Sequence, residues 1–353
     1  MSKVEAVILN TKPFRPTDFN EKAVTAVLDE SYLIADVKKD GVRLNLIVEG
    51  GDHHTEWLSR EGKRFPTFNL TGQPLNFDPR WKRFFNPNLG EGMFPEGFML
   101  DAELILLDAL GGEGACKDTA GTLRRQQPLS LERIRVYVFD ILPLDVVLSG
   151  AEYDTMACVR KGHVEYQVAC LRKVFPEIDW RVAETYEVFS METLPIVERE
   201  GFDEEGNEIT VKLAPPLSVE QLYGAVRERG EEGLVLKDPM GSYRRSKVSG
   251  WWKMVPDDNE DGVVEDVIWG TAGLANEGKV IGFKVKLESG HVVNACKISR
   301  ALMDEFTDTE TRLPGYYKGF TARVTFMERY PDGSLRHPSF DCFRGISNPL
   351  IKE

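Results

Sequence analysis

The sequence predicts an α+β domain over residues 1–256, followed by a small β-barrel domain of the OB type over residues 257–353. In the first part, helical and strand patterns follow one another without the regular alternation that a parallel doubly wound sheet requires. The second part is nearly all β and has the strand number of the five-stranded OB barrel, interrupted by one helix. A polar, acidic stretch over residues 256–262 separates the two parts and predicts the domain boundary.

The first domain begins with a helical pattern. Residues 17–30 carry apolar residues at helical spacing behind two capping residues, which predicts a helix. The runs 32–37 and 42–48 are rich in β-forming residues and are joined at residues 39–41, Lys-Asp-Gly, which predicts a hairpin. Further strands are predicted over residues 98–107, 136–142 and 233–236, and further helices over residues 154–175 and 217–229.

The second domain consists of short strand patterns separated by glycine. One helix is predicted over residues 299–306, and a Tyr-Pro-Asp-Gly turn over residues 330–333. The predicted strands cover residues 263–269, 278–287, 291–295, 321–328 and 335–343. Because OB barrels often bind nucleic acid, this domain predicts a nucleic-acid partner.

The composition is that of a globular protein that stays in the cytoplasm. Hydrophobic residues make up 42% of the chain and charged residues 29%, which is typical of chains that form cores. The chain has no run of about 18 apolar residues and no secretory signal, so we expect no membrane association. The five cysteines are scattered and form no CxxC pair, which is typical of reduced cytosolic thiols.

The formal net charge of −13 does not favour a nucleic-acid-binding protein, because phosphate contacts require Lys and Arg. Both predicted domains are acidic. Any surface that binds nucleic acid must therefore be a local basic patch, for which Arg244, Arg245 and Lys247 are candidates.

One short motif, KxDGxR from Lys38 to Arg43, has two interpretations. As an ordinary structure it is a hairpin turn whose lysines lie in water, and these residues alone favour that interpretation. As a functional motif it supplies a lysine nucleophile at the end of a strand, beside cations that favour the neutral amine needed for attack on phosphorus. The other motifs decide between the two.

Five further motifs follow in order, and each is common when taken alone. They are the Ser-Arg pair ending at Arg60, the acidic pair Asp101 and Glu103, the aromatic-Asp strand at Phe139, the EGxVxK run from Glu232 to Lys237, and the Trp-rich strand end at Lys253. The acidic pair lies within an apolar strand, where carboxylates are costly unless a positive group meets them. This strand therefore predicts a nearby cation.

In this order and spacing, the motifs resemble those of the covalent nucleotidyltransferases, which comprise DNA ligases, RNA ligases and mRNA-capping enzymes. Within that superfamily the chain is particularly similar to the small ATP-dependent DNA ligases of the bacteriophage T-seven type. The likeness includes residues 249–254, 273–283 and 332–340 and extends over both domains. It implies that residues 1–256 form a mixed-sheet nucleotidyltransferase (adenylation) domain and residues 257–353 an OB-fold domain.

The resemblance implies an enzyme that seals nicks between a 3′-hydroxyl and a 5′-phosphate in duplex DNA. Lys38 would attack the α-phosphorus of ATP and carry AMP, and Asp40 would orient the 3′-hydroxyl. Glu232 and Glu103 would hold Mg²⁺, with Glu103 also facing the ribose. The other implied nucleotide contacts are Phe139 on adenine, the backbone of Asp36 and Val37 along the adenine edge, Arg43 and Arg60 on ribose and phosphates, and Lys237 and Lys253 on the α-phosphate.

Two positions depart from the family pattern. Ala102 replaces a glycine of the acidic motif, a small change that we expect to be tolerated. Val255 replaces the second lysine of a K-x-K motif, and this change leaves open how the charge of the α-phosphate is balanced.

Two alternative functions stay open, an RNA ligase and a degenerate, non-catalytic nucleic-acid-binding protein. A capping enzyme is disfavoured, because Arg344 is followed by residues 345–347, Gly-Ile-Ser, instead of the capping RxDK pattern. We expect a monomer that acts on nicked double-stranded DNA in the cytoplasm of a bacterial or phage-infected bacterial cell.

Overall fold

The computed structural model describes residues 6–52, 54–69, 74–190, 198–202, 208–212, 218–330 and 332–344. Pro331 of the predicted turn and residues 345–347 of the capping comparison lie outside these ranges. The chain forms two compact units, Met1–Met254 and Val255–Glu353. Within the described ranges, no helix is long and apolar enough to cross a membrane.

The first unit contains both strands and helices. Its strands are β1 (Arg15–Asp18), β2 (Leu33–Lys38), β3 (Val42–Glu49), β4 (Thr55–Ser59), β5 (Gly97–Leu106), β6 (Ile134–Pro143), β7 (Asp179–Val182), β8 (Thr185–Val188), β9 (Glu198–Phe202), β10 (Glu208–Lys212), β11 (Gly233–Lys237) and β12 (Lys247–Met254). Its α-helices are α1 (Glu21–Glu30), α2 (Cys116–Leu123), α3 (Leu144–Ser149), α4 (Ala157–Val174) and α5 (Val219–Glu228). Short 3₁₀ helices cover Pro66–Asn69, Pro74–Phe77, Pro79–Phe85 and Leu131–Arg133.

Two five-stranded sheets form the frame of this unit. Sheet one has the strand order β1-β12-β11-β2-β8, and sheet two has the order β4-β3-β5-β6-β7. Most neighbouring strands are antiparallel, but β1 runs parallel to β12 and β6 runs parallel to β7. Both sheets are therefore mixed, which confirms the predicted α+β class.

The sheets and helices of this unit form layers, and three apolar clusters lie between these layers. The outer face of sheet one packs on α1 and α5, and the outer face of sheet two packs on α4 and the 3₁₀ helices. The inner faces of the two sheets meet in a third cluster that includes Phe14, Met99 and Trp251. Because β5 is covered on both faces, its sequence is almost continuously apolar.

The predicted hairpin at residues 39–41 is wrong. β2 pairs with β8 and β11 in sheet one, whereas β3 pairs with β4 and β5 in sheet two. A two-residue hairpin turn of the Asp-Gly kind needs positive φ at its central residues, and Gly41 is not among the described residues with positive φ. The connection therefore leads the chain from one sheet to the other.

The structure also moves two predicted boundaries. The first helix begins at Glu21, because Asn20 caps it by accepting a hydrogen bond from the backbone N–H of Ala23. The acidic stretch 256–262 is not a linker, because β13 (Asp258–Trp269) begins within it. Arginines from later in the chain pair with this acidic strand: Arg329 pairs with Glu260, and Arg344 donates to Asp261 at 2.9 Å.

The second unit is a closed barrel with the strand order β13-β14-β15-β19-β16. Its remaining elements are β14 (Val280–Leu287), β15 (Val292–Cys296), α6 (Arg300–Arg312), β16 (Thr321–Phe326), β17 (Glu328–Arg329), β18 (Leu335–Arg336) and β19 (Ser339–Phe343). The helix is longer than predicted. Phe283, Phe306 and Tyr317 belong to the apolar core of this unit, and the strand count confirms the predicted OB-type barrel.

A buried ion pair ties α4 to both sheets. Arg160 on α4 donates from Nε and Nη2 to the Asp140 carboxylate on β6, at 2.8 and 3.0 Å, and both side chains are buried. Its Nη1 donates to the carbonyl oxygens of Thr155 and Gly241, the latter at 3.0 Å. Since Gly241 lies between β11 and β12, one guanidinium group connects the helix with sheet one and sheet two.

Removal of this pair is expected to destabilise the first unit strongly. Arg160→Met should lower the free energy of unfolding by about 3–5 kcal/mol, because the Asp140 carboxylate stays buried without its partner. The matched control is Arg83→Met, since Arg83 pairs with Glu91 from a side chain that is 45% exposed, and such solvent-screened surface pairs contribute little to stability. Denaturant unfolding measures both losses, and equal losses would contradict the role of the buried pair.

Candidate active site

Strand alternation brings the predicted lysines onto one face of sheet one. Successive side chains of a strand point to opposite faces, and the pairing of β2, β11 and β12 aligns Asp36 with Lys253 across β11. Lys38 and Lys237 lie on the same face, which is the one that meets sheet two. The sheet thus presents its cations to the interior cleft between the sheets.

Lys38 ends β2 beside a buried carboxylate. Its Nζ lies 2.6 Å from Oε2 of Glu232, and the side chains are 27% and 6% exposed. Their closeness follows from the backbone, because Lys38 is paired with Gly233, the residue after Glu232. The amine is therefore held in place and still reachable by a ligand.

Lys39 has different surroundings, although it is the next residue. It forms an ion pair with Glu231, lies 5.0 Å above the ring centre of Tyr137, and is only 10% exposed. Lys38 and Lys39 thus use the two carboxylates of one Glu-Glu pair, and Lys38 is the more accessible lysine.

Gly41 is required by a close approach between chain segments. A Cβ atom at this position would lie 2.6 Å from the Leu104 carbonyl oxygen and 2.8 Å from Cγ of Glu103. No side chain other than hydrogen fits there without a shift of β5. This contact places the segment that carries Lys38 and Asp40 directly against the acidic strand.

The cation predicted beside the acidic strand is Arg43. It donates from Nε and Nη2 to the two oxygens of Asp101, both at 2.6 Å, and from Nη2 to the Phe14 carbonyl oxygen at 2.8 Å. Asp101 is fully buried and also accepts hydrogen bonds from Asn45 at 2.9 Å and Tyr243 at 2.5 Å. The geometry assigns Asp101 the role of anchoring Arg43. The Arg43 guanidinium in turn lies over the ring of Phe139.

Glu103 lies across from Arg43 on β5 and close to Lys38. Burial raises the pKa of Glu103 to about 7; the charges of Lys38 and Arg43 oppose this rise, whereas Glu232 and Asp101 add to it. Its carboxylate is therefore only partly compensated by the protein. Such a group accommodates a divalent cation or a donor from a ligand.

A pocket next to this cluster has one aromatic wall and several polar atoms. Phe139, Asp36, Thr185, Ala183 and Lys237 are among its lining residues. The Arg43 guanidinium lies 4.6 Å from the ring centre of Phe139. The cavity has a volume of about 20 Å³, room for about one water molecule, so a planar heteroaromatic base fits against the ring only after the surrounding side chains move.

Lys237 is enclosed at the edge of this pocket. Its Nζ lies 2.6 Å from Oδ2 of Asp36, donates to the Phe139 carbonyl oxygen at 3.1 Å, and lies 4.2 Å from a ring centre of Trp251. A buried ammonium group needs a partner of opposite charge, and a phosphate oxygen can take the place of that carboxylate.

Two predicted contacts lie away from the cluster. Arg60 follows β4 and is 53% exposed, and it pairs with Glu61. Lys253 is on the inner face, but its Nζ pairs at 2.9 Å with Asp18, whose side chain is 73% exposed. The structure therefore does not bring Arg60 and Lys253 together with Lys38.

Val37 faces the outer core of sheet one, and Asp40 lies between the two sheets. The Val37 side chain belongs to the outer core with α1 and α5, and its N–H donates to the Glu184 carbonyl oxygen at 2.8 Å. Asp40 lies in the connection between the two sheets, next to Gly41.

The basic patch predicted from residues 244–247 is partly wrong. Arg245 donates to the carbonyl oxygens of Ala151, Thr11 and Val146 at 2.7, 2.9 and 2.9 Å. Its guanidinium group is thus already used in hydrogen bonds to the backbone. Arg244 and Lys247 remain exposed.

Sequence reasoning missed the residues that hold the predicted ones in place. Tyr243 bonds Asp101 across 142 positions of the chain, and Thr185 bonds Asp36 across 149. No local spacing predicts such pairs. The only available signal was the cost of burying Asp36 and Asp101 in apolar strands, which requires partners of some kind.

Glu103 and Glu232 supply two carboxylates, a number that suits magnesium better than a metal that requires three or more protein ligands. In the part of the chain that the structure describes, no group of three or more His, Cys, Asp or Glu side chains is close enough to hold a metal ion. Magnesium takes one or two carboxylates together with water and phosphate oxygens. Glu103 and Glu232, which influence one another electrostatically, supply such a pair.

Comparison with known proteins gives consistent matches over both units. A family model described as "ATP dependent DNA ligase domain" matches residues 16–254, and one described as "DNA ligase C-terminal domain" matches residues 256–314. The chain is 40% identical to the DNA ligase of Enterobacteria phage T3 and 39% identical to that of Escherichia phage T7, each over 98% of this chain and 99% of the relative. A solved structure of the ATP-dependent DNA ligase from bacteriophage T7, in complex with ATP, is 39% identical and has a TM-score of 0.59, over 95% of this chain and 99% of that chain.

The raised pKa of Glu103 gives a pH-dependent stability prediction. The folded chain holds a proton on Glu103 up to a pH of about 7, whereas an ordinary glutamate releases it near 4.5, so this carboxylate costs stability as pH rises between these values. Glu103→Gln removes that cost. The variant should therefore gain more thermal stability relative to wild type at about pH 8 than at about pH 5.

The measurement is thermal unfolding with a chelator and without nucleotide. Glu132→Gln is the matched control, since Glu132 is exposed. A Glu103→Gln effect that is the same at both pH values would contradict the raised pKa.

Proposed function

The chain belongs to the ATP-dependent DNA ligases, and we propose that it seals nicks in duplex DNA through AMP carried on Lys38. The observation that carries this assignment is the position of Lys38, an accessible amine between Glu232 and Glu103 at the end of β2. Lys39 has the same chemistry but is enclosed by Glu231 and Tyr137.

In the first step, the Lys38 amine forms a bond to the α-phosphorus of ATP as the bond to the pyrophosphate oxygen breaks. The amine must first lose its proton and leave the ion pair with Glu232, because an ammonium group is not a nucleophile. Glu232 keeps Lys38 in place until the nucleotide binds. Most of the remaining catalysis then comes from positioning and charge neutralisation.

The pocket beside Lys237 is the proposed site of the adenine. Phe139 supplies an aromatic surface for the base, and Arg43 and Glu103 lie where ribose hydroxyls would follow. Lys237 and Lys253 on the inner face of sheet one are the proposed cations for the α-phosphate, after they exchange Asp36 and Asp18 for phosphate oxygens. Exposed Arg60 would have to move to reach the nucleotide.

Glu103 and Glu232 are the proposed protein ligands of Mg²⁺. When bound, the ion neutralises phosphate oxygens and stabilises the charge that builds up during transfer. The partial compensation of Glu103 within the protein supports this assignment.

AMP then passes to the 5′-phosphate of the nick, and the 3′-hydroxyl displaces it to complete the seal. Asp40 is proposed to orient that hydroxyl, since the close packing at Gly41 keeps the segment next to Glu103. We propose nicked double-stranded DNA as the substrate and a monomer as the active form. The presence of Lys38, Glu103 and Glu232 in one cluster disfavours a degenerate binding protein.

Lys38→Ala is expected to abolish formation of the covalent AMP adduct and leave the fold intact, because a lysine at a strand end adds little to the core. The control is Lys39→Ala, which should keep the adduct. The assay incubates each protein with labelled ATP, GTP or NAD and Mg²⁺ and follows label on the denatured chain. Label on Lys38→Ala equal to that on wild type would contradict the assignment and point to Lys39.

Val255→Lys tests how the charge of the α-phosphate is balanced. Loss of one preorganised donor typically costs about 10²–10³ in rate, so an uncompensated gap would leave a poor enzyme. Because Lys237 and Lys253 already face the cleft, we expect the added lysine to raise the adenylation rate less than about tenfold. Single-turnover adenylation and nick sealing at saturating ATP and Mg²⁺ measure this.

A gain of about a hundredfold for Val255→Lys would mean that the site lacks a charge that the other lysines do not supply. The absence of detectable sealing by the wild-type chain would support the degenerate alternative.

A further inference from the structure

We propose that Asp18 competes with the α-phosphate for Lys253, and that this carboxylate thereby weakens the capture of ATP. The inference rests on the proposed function, in which Lys253 contacts the α-phosphate. Asp18 acts through Lys253 and is therefore a positioning residue.

A row of aligned residues crosses the inner face of sheet one from its edge strand β1 to β2. Asp18 on β1 is the register partner of Lys253 on β12. On its other side, Lys253 is aligned through Val235 with Asp36. Asp36 already holds Lys237 at 2.6 Å. Lys253 therefore has a carboxylate, Asp18, beside it toward the sheet edge and an apolar residue, Val235, beside it toward the cleft.

Lys253 is close enough to the cleft to reach the nucleotide. Lys38 lies two residues further along β2 than Asp36, and β2 is two strands away from β12. With about 3.3 Å per residue and about 4.8 Å between strands, the backbones of Lys253 and Lys38 are roughly 12 Å apart. Two long, flexible lysine side chains on the same face can both reach a phosphate group that lies between them.

In the structure, the Lys253 amine is instead at the edge of the sheet. Its Nζ lies 2.9 Å from Oδ1 of Asp18, and the Nζ of Lys247 lies 3.4 Å from the other oxygen of the same carboxylate. The hydrogen bond from Lys253 lowers the pKa of Asp18 below its ordinary value, so this carboxylate is charged at neutral pH. One carboxylate thus holds the amines of two lysines at the sheet edge.

The contact is of a kind that a nucleotide can displace. The Asp18 side chain is 73% exposed, so water screens its ion pairs and keeps them weak. A phosphate group offers an amine more acceptor oxygens than a carboxylate does. Without the Asp18 charge, Lys247 and Lys253 would repel one another, and Lys253 would gain from a move to the phosphate. Since Val255 replaces the second lysine of the family motif, Lys253 is the lysine of this strand end that the nucleotide can use.

The experiment is a double-mutant cycle on adduct formation with labelled ATP and Mg²⁺. It measures the maximal rate and the ATP concentration that gives half of that rate. Asp18→Asn should raise the ratio of rate to half-saturating ATP about threefold, since a screened ion pair accounts for a factor of about five at most. The gain should lie mainly in a lower half-saturating concentration, because a freed Lys253 binds the phosphate before and during its transfer. In a Lys253→Met background, Asp18→Asn should have no effect.

Two further variants serve as controls. Asp18→Glu keeps the carboxylate and should show no gain. Asp304→Asn makes the same change in net charge, and Asp304 is an exposed aspartate that pairs with Lys279 in the second unit; it should leave adduct formation unchanged.

The inference is overturned if Asp18→Asn brings no change or a loss, because a carboxylate that orients Lys253 productively predicts a loss. The same gain in the Lys253→Met background, in Asp18→Glu or in Asp304→Asn would also overturn it. A merely structural role of Asp18 predicts neither a gain nor its dependence on Lys253.

Failure of the proposed function has a different signature. If wild type forms no adduct with ATP, the proposed function is overturned and the inference with it. If Lys253→Met forms the adduct as well as wild type, the proposed role of Lys253 is overturned together with the inference. If Lys253→Met slows adduct formation but Asp18→Asn brings no gain, only the inference is overturned.

Discussion

The close contact between Gly41 and β5 is the constraint on which the rest of the site depends. The chain leaves sheet one at Lys38 and must enter sheet two at Val42. It does so against the Leu104 carbonyl oxygen, with no room for a Cβ atom. Lys38, the proposed nucleophile at the end of one sheet, is thereby fixed opposite the acidic strand of the other. A longer connection would let the two sheets carry their residues without bringing them together.

The lysines on the inner face of sheet one are each paired with a carboxylate. Lys38 pairs with Glu232, Lys237 with Asp36 and Lys253 with Asp18, so each lysine of the inner face has one carboxylate. The cleft therefore presents ordered cations although the whole chain has a net charge of −13. The acidic residues keep the cations ordered without a ligand, and a phosphate group competes for them on arrival.

Many of the strands and the family could be predicted from the sequence, because they depend on the order of neighbouring residues. The strands around Lys38, Glu103 and Phe139 have clear β patterns, and motif order identified the family. The hairpin at residues 39–41 was wrong because a Lys-Asp-Gly segment has the composition of a turn, while the partner strands of β2 and β3 are set by distant segments. For the same reason, Tyr243 and Thr185 could not be predicted as partners of buried aspartates.

The amino-terminal segment has a consequence for how the chain can be shortened. The carbonyl oxygen of Phe14 accepts from Arg43, its N–H donates to Tyr243 at 3.0 Å, and its ring stacks on Trp251 with ring centres 4.4 Å apart. A segment that precedes every recognisable motif is thus packed against the residues of the proposed nucleotide site. A minimal fragment designed to start just before Lys38 would lack these contacts with Arg43, Tyr243 and Trp251.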